Sequence, residues 1–131
     1  MRSHYVVLLC LPLFFIGCSR SSAPTQMQLD SSVNGGVITA LPNETFSLRL
    51  DLNFDAGYQW NYQISDSTVV AKDAQPTFQP PKTGVGGVTV ETFYFRVLRE
   101  GQCSMTFAEL RGWEQGVPPI STVNFIVVAI P

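Results

Sequence analysis

Between residues 46 and 52 the chain alternates strictly: Phe46, Leu48, Leu50 and Leu52 are apolar, while Ser47, Arg49 and Asp51 are polar. A period of two puts each set on one face of a strand, so this segment predicts a half-buried β-strand. Tyr58, Trp60, Tyr62 and Ile64 alternate with Gln59, Asn61 and Gln63 in the same way. Phe93, Phe95 and Val97 alternate with Thr92, Tyr94 and Arg96, and Cys103, Met105 and Phe107 with Ser104, Thr106 and Ala108. Val123 to Ile130 is nearly continuous apolar sequence, which predicts a strand covered on both faces. Val37 to Leu41 and Val69 to Lys72 give two shorter strands. No stretch of helical length carries the three-to-four spacing of an amphipathic helix.

Breakers separate these runs at Gly35-Gly36, Pro42-Asn43, Gly57, Pro76, Pro80-Pro81, Gly84 to Gly87, Gly101 and Pro118-Pro119. The expected class is therefore all-β, an immunoglobulin-like β-sandwich of about seven short strands. The strand-to-strand cysteine pair of antibody domains is missing, so only the architecture is implied.

Composition narrows what such a domain can do. At 131 residues, 45% hydrophobic and 14% charged, the chain has the length of one domain and enough apolar side chains for a core. Eight basic and ten acidic residues leave a net charge of −2 with no Lys or Arg run, so a nucleic-acid footprint is not expected. The single histidine is His4, and the three cysteines are Cys10, Cys18 and Cys103. That inventory argues against metal sites, cofactors and His-dependent catalysis. Glu91, Glu109 and Glu114 are scattered carboxylates without the pairing an acid–base site needs, so no enzyme activity is expected. Cys103 shares a strand face with Met105 and Phe107 and reads as a buried, inert thiol.

The N-terminus reads as an address. Arg2 supplies a positive start, and Tyr5 to Ile16 is apolar apart from Pro12. The run is short of the ~20 residues of a membrane-spanning helix but fits the apolar part of a secretory signal peptide. It ends Phe15-Ile16-Gly17-Cys18, which resembles the lipobox of bacterial lipoproteins. That resemblance implies a signal peptide over 1–17, cleavage before Cys18 and lipid on its thiol. The Ser-rich stretch after Cys18 reads as a flexible tether, giving a tether over 18–29 and a folded domain over 30–131. The mature chain would then have no histidine, and Cys103 as its one free thiol. Ser19 after the cysteine resembles outer-membrane lipoproteins, so the expected location is the cell envelope, at the periplasmic face of the outer membrane.

Three breaks are richer than ordinary turns. The first is Asn53-Phe54-Asp55-Ala56-Gly57-Tyr58, between two of the clearest strands. The second is Gly84-Val85-Gly86-Gly87, and the third is Arg111-Gly112-Trp113, opening a loop that runs to Pro119. In order and spacing they resemble the three loops of the chagasin family, inhibitors of papain-type cysteine peptidases. That family carries Asn-Pro-Thr-Thr-Gly-Tyr/Phe, Gly-X-Gly-Gly and Arg-Pro-Trp on an immunoglobulin-like sandwich. The resemblance runs from about Gly36 to Pro131. Phe54 stands where the family has Pro, Asp55 and Ala56 stand where it has Thr, and Gly112 replaces the Pro of the third motif.

The resemblance implies that segments 53–58, 84–87 and 111–119 block the peptidase cleft. The first loop would enter as a blunt wedge, and the others would flank it. Gly57 would permit a positive φ, and Gly86 and Gly87 a close approach of main chain to the enzyme wall. Arg111 and Trp113 are residue types that dominate interface energies. Trp113 sits in a polar loop context that predicts exposure, whereas Tyr58 and Trp60, in strand period, predict core. The expected partner is a papain-type cysteine peptidase, met by a monomer held to a membrane through its lipid. The alternative is an immunoglobulin-like binding or assembly module of the cell envelope without inhibitory activity.

Overall fold

The computed structural model describes residues 26–82 and 87–131. The expected signal peptide, Cys18 and residues 18–25 of the expected tether lie outside these residues, as do Gly84, Val85 and Gly86. Eight strands fill the described chain: β1 (Met27–Asp30), β2 (Val37–Ala40), β3 (Thr45–Leu52), β4 (Gln59–Ile64), β5 (Val70–Gln79), β6 (Thr89–Val97), β7 (Gly101–Leu110) and β8 (Ser121–Ala129). They form two four-stranded sheets, ordered β1-β3-β6-β5 and β2-β8-β7-β4. The all-β sandwich is as expected, with eight strands where the pattern gives about seven.

The alternating residues meet between the sheets. Phe46, Leu48, Leu50 and Leu52 of β3 face Met105, Phe107, Phe125 and Val127 of the other sheet, all buried. An aromatic cluster fills the centre: the Phe107 ring lies 5.3 Å from Phe93, 5.4 Å from Tyr62 and 6.1 Å from Phe125, in edge and stacked arrangements that suit the ring quadrupoles. Cys103 is buried in this core as expected.

Three elements depart from the sequence pattern. β1 is the extra strand: Met27 to Leu29, in the stretch read as tether, pair in parallel with Phe46 to Leu48. Only Met27 and Leu29 face the core, too short an alternation to stand out. β5 runs to Gln79, well past Lys72, as an edge strand whose polar outer residues and Pro76 mask it. Its pairing with β6 shifts between Lys72 and Ala74 and again between Ala74 and Thr77. β8 is not covered on both faces. Val123, Phe125, Val127 and Ala129 are buried, but Asn124 is exposed and Ile126 and Val128 are half-buried.

Topology gathers the candidate loops at one pole. Leu52 of β3 pairs with Thr89 of β6, and Gln59 of β4 pairs with Leu110 of β7. The connections β3–β4, β5–β6 and β7–β8 therefore leave the same end of the sandwich. At the opposite pole Thr45 pairs with Arg96 and Gly101 with Ala129. β1 starts near that far pole, at Met27 beside Phe46.

Candidate functional site

The β3–β4 connection is a single turn of 3₁₀ helix, Phe54–Ala56, closed by Gly57 at φ 80° and ψ 16°. Glycine adopts this left-handed conformation without the Cβ clash that penalises other residues. The Gly57 N–H donates to the Phe54 carbonyl at 2.9 Å, and the Tyr58 N–H to the Asn53 carbonyl at 3.4 Å. The tip projects outward: Phe54 is 61% exposed, and Asn53 and Asp55 are exposed beside it.

Below the tip, the loop is tied to the opposite sheet. The Asn53 N–H donates to Glu109 Oε1 at 3.0 Å. Glu109 is buried, pointing inward on β7 in register with Cys103, Met105 and Phe107. A carboxylate accepting a main-chain N–H in such a place makes a charge-assisted bond that fixes the start of the loop. Trp60 is buried as expected, and its indole N–H donates to the Asp51 carbonyl at 2.9 Å.

Arg111 joins the first loop to the third. Its Nε donates to the Ala56 carbonyl at 2.8 Å, and its Nη1 reaches Glu114 Oε1 at 3.1 Å. The guanidinium carbon lies 4.4 Å from the centre of the Tyr58 ring and 6.0 Å from that of Trp113, the geometry of cation–π contact. Tyr58 is accordingly half-buried at the core margin under Arg111, not in the core proper.

Trp113 is 69% exposed, as its polar surroundings predict. One edge of its indole nevertheless rests on Gly57, filling the space where a Cβ would stand. Gly112 abuts the Gln59 side-chain amide, whose Nε2 would lie 3.2 Å from a Cβ there. Gly87, the one described residue of the Gly-rich segment, lines a shallow depression with Asn53, Val88, Glu109 and Ile120.

The structure thus brings Asn53 to Tyr58, Gly87 and Arg111 to Trp113 to one pole. Two carboxylates that sequence reasoning set aside belong to it, Glu109 under Asn53 and Glu114 beside Arg111. Glu109 was legible as an inward position of β7, two residues beyond Phe107. Glu91 is buried as well, inward-facing on β6 opposite Leu50 and Phe78, and burial raises its carboxyl to about 7. Among the described residues no group of three His, Cys, Asp or Glu side chains is placed to hold a metal ion.

The sequence signature described as Chagasin family peptidase inhibitor I42 matches residues 39–127. Amoebiasin-2 of Entamoeba histolytica is 24% identical over 87 residues, which span 66% of this chain and 71% of that protein. Among solved structures, the cysteine protease inhibitor EhICP2 from Entamoeba histolytica superposes with a TM-score of 0.72 at 20% identity, covering 80% of this chain and 96% of that one. The solution structure of Amebosin gives a TM-score of 0.65 at 17% identity, covering 81% and 99%. At such identities the two structures share the fold.

Proposed function

The chain belongs to the chagasin family of peptidase inhibitors, and from that premise we propose that it inhibits papain-like cysteine peptidases by filling the active-site cleft with the loops of one pole. Loop 53–58 is the wedge, and loop 111–119 and the Gly-rich 84–87 segment supply the further contacts with the peptidase.

The observation that carries this reading is where the wedge carbonyls point. A papain-type thiolate attacks the carbonyl of an extended peptide laid along the cleft. Here the carbonyls of Asn53, Phe54 and Ala56 each accept an internal hydrogen bond, from Tyr58 N–H, Gly57 N–H and Arg111 Nε. The segment is a helical turn, so it offers no carbonyl in a geometry suited to attack. The loop can occupy the cleft without being cut. Its internal ties also mean that little conformational freedom is lost on docking, which favours affinity at a given contact area.

The protein acts as an inhibitor and not as a catalyst, and it works as a monomer. Incubating it with papain tests this directly. The expected result is reversible inhibition, competitive with a small peptide substrate, with the inhibitor recovered at intact mass. Progressive cleavage between residues 53 and 58 would overturn the mechanism.

The N-terminal Arg2, the apolar run to Ile16 and the Gly17-Cys18 junction support a lipoprotein anchored at Cys18 in the cell envelope, at the periplasmic face of the outer membrane. The strand β1 starts near the pole opposite the wedge, so an anchor before it leaves the inhibitory loops directed away from the bilayer. Cys18→Ala should leave an unprocessed precursor. Normal processing of that variant to a soluble form would rule out the anchor.

A further inference from the structure

Beside the wedge lies a second apolar feature, an open depression lined by Phe54, Phe78, Pro80 and Thr89. Phe54 belongs to the wedge itself, whereas Phe78 and Pro80 come from the end of the edge strand β5 and the residue just after it. Phe78 is 56% exposed, although it pairs with the buried Glu91 and shares its inward face. It is exposed because β5 is an edge strand and Phe78 lies one residue before its end, at the pole of the sandwich. The pairing that sets Val70 against Val97 would bring Pro76 opposite Glu91, and each shift advances β5 by one residue until Phe78 takes that place. The two shifts together span two residues, so the inward orientation is kept and Phe78 stands where Pro76 would. Here they set a phenyl ring at the mouth of the sandwich, beside the tip of the wedge.

Two exposed phenylalanines and a proline bordering one hollow are unusual on a surface that needs no partner there. Among the described residues the hollow has no charged lining residue, and Thr89 is its one polar side chain. Because Phe54 belongs to both, whatever the wedge enters must pass close to Phe78. We propose that Phe54 and Phe78 form an apolar subsite that receives an aliphatic or aromatic side chain from the rim of the bound peptidase's cleft, so that the inhibitor selects peptidases with an apolar rim at that point. The proposal rests on the inhibitory reading given above.

The test is the inhibition constant against papain for the wild type, Phe78→Ser, Phe78→Leu and Trp113→Ala, with melting temperature and oligomeric state measured for each. Phe78 is largely exposed and distant in sequence from the wedge, so its loss should leave the fold intact. Phe78→Ser should raise the inhibition constant about tenfold, and Phe78→Leu by less than about threefold, with melting temperatures near that of the wild type. If Trp113→Ala weakens inhibition but Phe78→Ser does not, the subsite is overturned and the wedge mechanism stands. A wild type that leaves papain active overturns both. A dimer that dissociates on Phe78→Ser would assign the hollow to a second copy and overturn the proposal.

Discussion

The indole of Trp113 occupies the space that a side chain at position 57 would need. Two loops 56 positions apart in the sequence are thereby fitted to each other, and Gly57 is required twice over. Its φ of 80° disfavours any side chain, and the Trp113 ring excludes one. Trp113→Ala should weaken inhibition by about 2 kcal/mol, roughly 30-fold, the range of an interface anchor. Gly57→Val should cost at least as much, because a β-branched residue resists positive φ and must also displace the indole. Adding Gly57→Val to Trp113→Ala should then cost less than it does alone. Strict additivity in this double-mutant cycle would mean the two residues act independently.

Arg111 should behave as a positioning residue more than a contact residue. Its guanidinium is engaged by the Ala56 carbonyl, Glu114 and the Tyr58 ring. Lysine keeps the charge but not the planar fork that serves these partners together. Arg111→Lys should raise the inhibition constant about tenfold, with amide exchange faster at Gly57 and Tyr58. Unchanged exchange with weakened inhibition would instead make the guanidinium itself a contact with the peptidase.

Asp55 stands exposed in the middle of the wedge turn. A papain-type site holds a thiolate beside an imidazolium, so a carboxylate brought there meets one like and one opposite charge. The two contributions should largely cancel, and Asp55→Thr should change the inhibition constant by less than about tenfold, or ~1.4 kcal/mol. A much larger gain would show that Asp55 spoils the wedge.

Glu91 makes stability depend on pH. Burial raises its carboxyl from 4.5 to about 7, so the folded state holds a proton that the unfolded chain releases between these values. The stability it contributes is complete below about pH 4.5 and is lost as pH rises through about 7, on the order of 3 kcal/mol. Hydrogen bonds from Thr68 and Ser32 lower the carboxyls of Asp66 and Asp30 below 3.8, so those groups act only at lower pH. The wild type should therefore melt higher at pH 5 than at pH 8. Glu91→Gln keeps the shape without the charge and should flatten that slope. An unchanged slope in the variant would assign the dependence elsewhere.

The strands β3, β4, β6 and β7 were legible because each buries one face against the other sheet, and that burial writes a period of two into the sequence. β5 was legible only at its start, to Lys72, since beyond it an edge strand with two register shifts has no constant face to encode. β8 misled because Ile126 and Val128 are apolar on an outer face that, among the described residues, no third layer covers. In the site, Gly57 and Trp113 could be named from their motifs. The partners of Arg111 could not, because Ala56 lies 55 residues away and the contact is to a main-chain oxygen that no side-chain pattern marks. Phe78 was hidden for the same reason as its strand.

The most direct test of the wedge is the steady-state kinetics of papain with increasing amounts of the purified protein. A rigid pole filling the cleft predicts inhibition purely competitive with a small peptide substrate, at an inhibition constant below micromolar, as expected of a standard-size interface of ~1,600 Å². Full papain activity in the presence of a large excess of the folded protein would contradict it.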